Sequence, residues 1–166
     1  MKRYTWPEKT AMAGIALAGI GMGGVRDFLF MNLNYQLDHL LRHTRFSYAH
    51  SLFIRWSAGL DASDLLRLKW GLVAVFMAYF AVSCVLLARV ASRTWAHTRG
   101  ILAGFVGFAA LALLLHAGAR WAPGLWPVAV QVSHMLQYPV CLLFVFFAVH
   151  LGHRAGPQED PDGTAG

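Results

Sequence analysis

Apolar and polar positions divide the chain into three uninterrupted apolar stretches and one interrupted one. Residues 70–88, 101–119 and 126–149 contain no Asp, Glu, Lys or Arg, and each reaches the roughly 20 residues that a helix needs to cross a ~30 Å hydrocarbon core. The stretch 11–31 is also apolar, but it carries five glycines and is broken by Arg26 and Asp27. These four stretches predict an all-α polytopic membrane protein: a four-transmembrane-helix bundle in a single domain over 1–154.

Between the first two spans, residues 32–69 are too polar to span and too apolar for a linker. Leu33, Leu37, Leu40 and Leu41 recur at helical spacing, so 34–43 reads as a short amphipathic helix lying on the membrane or on the bundle. A second short helix is expected over 47–56, started by Ser47 and ended near Gly59. Asp61 or Ser63 then offers an N-cap, so the second span begins as helix before it enters lipid. Residues 155–166, rich in Gly, Pro and acid, predict a disordered tail.

Composition agrees with lipid as the solvent: 57% of residues are hydrophobic and 13% charged, against ~25% charged in soluble domains. A cleaved signal peptide is the rival reading of the N-terminus, with Ala16-Leu17-Ala18 as its cleavage site. That site leaves an apolar core of only five residues, 11–15, below the usual ~7–15, so a retained first helix is expected.

Lys and Arg divide seven against seven between the two sides under the four-span parse. Density decides: 89–99 packs three arginines and no acid, whereas 26–69 dilutes six cations with four Asp. Both termini are therefore expected in the cytoplasm, with the chain in a bacterial inner membrane. The net charge of +6 comes from cations at span ends, and no nucleic-acid-binding motif accompanies it. Cys84 and Cys141 fall inside spans and read as buried free thiols.

Candidate chemistry is sparse. Gly14, Ala18, Gly19 and Gly23 form two small-x-x-x-small pairs that permit close helix approach, inside the bundle or against a partner. Asp38, His39 and His43 share a helical turn, the spacing from which a metal is held, as in histidine-metal lipid-modifying enzymes, but Arg42 beside them repels a cation. His150 and His153 form a second close pair, expected on the opposite membrane side. His116 and His134 lie within adjacent spans and are candidates for haem b or quinone, although their unequal depth disfavours a shared haem. Gln131, His134, Tyr138 and Cys141 follow helical spacing, and Pro139 should kink the helix just after His134. Asp27 and Lys69 are expected to form a salt bridge tying the first two spans together beside Arg26. No G-x-S-x-G, H-E-x-x-H, P-loop or Rossmann fingerprint occurs, so nothing names a reaction.

The stretches RDFLFMNLNYQL, LRLKWGLVAVFMAYF and SHMLQYPV resemble a pattern in short four-helix bacterial membrane proteins. In these, a first helix ends in Arg-x-Phe-Leu-Phe and a second starts with Leu-Lys-Trp. The resemblance covers about three quarters of the chain. It implies the four-span parse and attention to Arg26, Asp27, Lys69 and His134, and it brings no activity. The expected function is a non-enzymatic accessory or assembly subunit without cofactor, contacting the bilayer and a larger membrane complex or a second copy. A haem- or quinone-binding redox subunit is the alternative.

Overall fold

The computed structural model describes the backbone of residues 4–152 and the side chains of 4–149. The side chains of the His150/His153 pair and the acidic tail lie outside what it describes. Among the described residues the chain is helical without strands: α1 (Trp6–Arg42), α2 (Ser51–Trp56), α3 (Ala62–Ser92), α4 (Thr98–Gly118), α5 (Leu125–Met135) and α6 (Val140–Gly152). Three of them, α1, α3 and α4, are long and apolar enough to cross a membrane. α5 and α6 meet that test only as a pair, bent by 65°, the geometry of a broken span or a re-entrant loop.

Helix α1 departs most from expectation. A first span ending near residue 31 and a separate helix over 34–43 were expected; instead one helix runs for 37 residues, roughly 55 Å at 1.5 Å per residue. Nothing between Met31 and Asn34 terminates it, since neither Gly nor Pro occurs there and the leucine period continues unbroken. It starts where the Thr5 N–H donates to Glu8 Oε2 at 2.7 Å and stops where His43 turns left-handed, at φ 51°.

Helix α3 is the central element, packing against α1, α4 and α6. Asp61 caps it, accepting from the Asp64 N–H at 2.8 Å, and Gly59, at φ +91°, makes the turn just before, a conformation that costs other residues strain. α1 and α3 run antiparallel. Arg93 clamps Glu8 through two N–H···O contacts at one end, and Lys69 Nζ donates to Asn34 Oδ1 at 2.8 Å toward the other.

Two cores result. Inside the apolar spans, Phe80, Cys84, Leu87 and Leu142 join α3 to α6. Beyond them, the extension of α1 folds together with α2 and the first turns of α3 around Leu33, Leu37, Ala49, Phe53 and Leu65. Burying a leucine or phenylalanine from water contributes about 1.5–3 kcal/mol, which holds this insert as a built unit. The second short helix starts at Ser51 rather than Ser47, because the chain from 43 to 50 first runs back along α1. There Asn32, buried and donating to the Phe28 carbonyl at 2.7 Å, takes the His50 N–H on its Oδ1.

Substituting Asp61→Ala removes the α3 cap and should lower Tm in detergent by a few degrees. The Asp64 N–H, with the Ser63 hydroxyl second, holds the Asp61 carboxyl below its ordinary range. Its contribution is therefore whole at neutral pH and is lost as pH falls through the carboxylate range. The Tm difference from wild type should narrow in acid; a constant difference would contradict the cap.

Candidate functional site: a buried arginine at a broken helix

Arg26 is 3% exposed, an expensive placement for a permanent cation unless every donor finds an acceptor. It finds them on the α5–α6 break. Nε and Nη2 each reach Gln137 Oε1 at 3.4 Å, Nη1 donates to Asp27 Oδ1 at 2.8 Å and to the Tyr138 hydroxyl at 2.9 Å, and Tyr138 in turn donates to Asp27 Oδ1 at 2.7 Å. The guanidinium also lies over the rings of Tyr138 and Phe30, 4.3 and 4.8 Å from their centroids, favourable cation–π geometry.

Pro139 explains why these acceptors are available. Without an N–H it cannot bond the carbonyl of Met135, so α5 ends at Met135 and α6 begins at Val140. The open end of α5 is partly closed by Gln137, whose Nε2 donates to the Ser133 carbonyl at 2.9 Å. One amide thus caps a helix with its nitrogen and receives Arg26 with its oxygen. Arg26 also lies toward the negative end of the α5 dipole.

Two glycines admit this break against α1. A Cβ on Gly23 would stand 3.2 Å from Pro139 Cδ, and one on Gly19 would stand 2.5 Å from Leu142 Cδ1. The Gly19/Gly23 pair is therefore spent on internal packing. Gly14 has nothing near it, and Ala18 is exposed.

Depth follows from register. Trp70, His116 and Trp126 form one aromatic cluster, with His116 edge-on to both indoles at 6.0 and 5.3 Å, as expected at a membrane rim. Lys69 beside Trp70 meets Asn34, and Arg26 lies eight residues further along α1, about 12 Å deeper. His134 lies eight residues beyond Trp126 along α5, about the same distance.

Of the expected site residues, Arg26, Asp27 and Tyr138 come together, and His134 lies edge-on to Tyr138 at 6.1 Å. Gln131 and His134 line a cavity of about 360 Å³ with Tyr138 and Pro139. The expected Asp27–Lys69 salt bridge does not form: Asp27 is held by Arg26 and Tyr138, and Lys69 by Asn34, because the continuous α1 carries Asn34 to the level of Lys69. His116 donates from Nδ1 to the Ala112 carbonyl at 2.8 Å and sits at the rim, two turns above His134, so the two do not face one shared site.

The Asp38/His39/His43 triplet is also dispersed. Asp38 pairs with Arg42 at 2.8 Å. His39 Nδ1 donates to Thr44 Oγ1 at 3.1 Å, since that hydroxyl gives its own proton to the Phe46 carbonyl. Among the described residues no group of three or more His, Cys, Asp or Glu is arranged to hold a metal. Sequence spacing missed the roles of Gln137 and Asn32, buried amides that each bond a carbonyl four residues back and one group distant in the chain. The one available signal was an amide next to Tyr138-Pro139.

Comparison with protein-family models, curated proteins and solved structures returns no match to this chain, so the site stands on its own geometry.

Replacing Arg26 by Met should destabilise the folded protein by about 2–3 kcal/mol. Removing one member of a buried pair costs about 3–5, less here because the Asp27 side chain is 55% exposed. Arg26→Lys should rescue only part of this, because an ammonium lacks the fork that reaches Gln137 and Tyr138 together; Tyr138→Phe should cost about 1 kcal/mol. Unfolding in mixed micelles monitored by tryptophan fluorescence measures all three, and full rescue by Lys would contradict the fork.

Proposed function

We propose that the chain is a small accessory subunit of a bacterial inner membrane, with four spans, both termini in the cytoplasm and the insert on the outer side, docking through that insert onto a larger membrane complex. The observation that carries this reading is the surface of the insert. It has a buried core and fixed hydrogen bonds, yet Phe46 and Tyr48 are 67% and 79% exposed, with Leu41 exposed beside them. Thr44 contacts His39 and Tyr48 contacts Tyr35, levels on α1 above Asn34 and hence beyond the rim, where the surrounding medium is water and headgroups.

An apolar and aromatic patch flanked by Arg42 and Arg45 has the composition that anchors protein interfaces. A flexible linker would have offered the same residues without a shape. The short α2 completes the picture: Leu52 and Trp56 are exposed at the level where His50 meets Asn32, suited to the headgroup region.

The test has two arms. A membrane-impermeant maleimide should label Tyr48→Cys in intact spheroplasts, and labelling only after lysis would reverse the topology. A photo-crosslinker at residue 46 or 48 should then give one stoichiometric adduct in native membranes, lost with Leu41→Ser; absence of any adduct from a folded protein would sink the accessory reading.

A further inference from the structure

The lateral face of the α5–α6 break carries a mismatch that the packing does not resolve. His134, level with Arg26, and Gln131, about one turn nearer Trp126, are exposed, and among the described residues neither has a hydrogen-bond partner in the protein. In a four-span protein this face would meet lipid, where unpaired amide and imidazole groups are costly. Both belong to the 360 Å³ cavity beside Tyr138. Across the break lies a second cavity of about 390 Å³ between α4 and α6, walled by Gly100, Gly104, Phe108 and Phe144. Met135 and Val140 line both, so a polar recess and an apolar groove share one wall and lie side by side.

We infer that this composite recess binds an isoprenoid quinone, its head against Gln131 and His134 and its tail along the Gly100/Gly104 groove. Polarity sets the shape of the ligand: a small head able to accept hydrogen bonds, joined to a long apolar chain. Charge selects within that class. Every donor group of Arg26 is already engaged and Asp27 shares its charge, while Lys69 is bound to Asn34, so both nearby cations already hold partners other than a phosphate or fatty-acid head. A neutral head bearing carbonyls suits two N–H donors one turn apart. The open glycine positions, with no atom within 4 Å of a Cβ built at Gly100 or Gly104, leave width for a branched isoprenoid tail.

Purified full-length protein in nanodiscs should quench its tryptophan fluorescence saturably with decylubiquinone. Decylbenzene, which has the tail without the carbonyls, should bind at least tenfold more weakly. The double substitution Gln131→Leu/His134→Phe replaces unpaired polar groups by apolar ones at a lipid-facing surface, so Tm should hold or rise while decylubiquinone affinity falls tenfold or more. Gly104→Leu fills open space in the groove; it should weaken decylubiquinone severalfold and leave the tailless 2,3-dimethoxy-5-methyl-1,4-benzoquinone within twofold. Equal binding of decylbenzene, displacement of decylubiquinone by phosphatidylglycerol, or affinities within twofold of wild type in both variants would overturn the assignment. If the double variant fails to fold, Gly104→Leu and the decylbenzene control still decide it.

Discussion

A cation that cannot lose its charge, placed about 12 Å below the rim of an apolar helix, must be neutralised and fully hydrogen-bonded from outside that helix. Arg26 sets this constraint, and much of the architecture answers it. A regular helix offers no free backbone carbonyls, so its acceptors come from a helix that is broken. Pro139 breaks it, Gln137 converts the freed end of α5 into an acceptor for the guanidinium, and Tyr138 donates a hydrogen bond to Asp27. Gly19 and Gly23 bring the break close enough for these contacts. In lipid, where apolar burial drives helices together only weakly, such packing and polar contacts are the main source of association.

The same constraint separates the two halves of α1. On the N-terminal side of Arg26 the helix packs through small residues against the break; on the C-terminal side it packs through leucines against α2 and α3. The adhesive changes along one continuous element, from close backbone approach to hydrophobic burial. Asn32 stands at the junction, bonding its own helix with one end of its amide and the returning chain with the other.

Much of the helical layout was legible in the sequence because it depends on local rules. Span composition, the Asp61 cap and the Pro139 break each follow from residues within a turn of one another. The continuity of α1 was not legible in the same way. Arg26 and Asp27 look like the end of a span when charge is counted along one strand of chain, and only their partners 111 residues away make them tolerable inside it. The salt bridge expected between Asp27 and Lys69 failed for the same reason: the assumed boundary at residue 31 put Lys69 opposite the wrong turn of α1. The histidines drew attention by spacing, yet His39 and His116 serve local hydrogen bonds, and spacing alone carries no information about which carbonyl or hydroxyl satisfies a ring nitrogen.

Two surfaces remain at odds with their surroundings, and they differ in kind. On the insert, Phe46 and Tyr48 leave apolar area exposed. On α5, Gln131 and His134 leave polar groups exposed on an apolar helix. Under the two proposals each mismatch would be relieved by a cover of opposite character: an apolar protein surface in the first case, a hydrogen-bonding head in the second. Rigidity makes the mismatches persistent. The insert is pinned by Asn32 and its leucine core, and the break by Arg26, so neither surface can fold its misplaced groups away. The contacts that pin the insert and the break would therefore also fix where each proposed partner must sit.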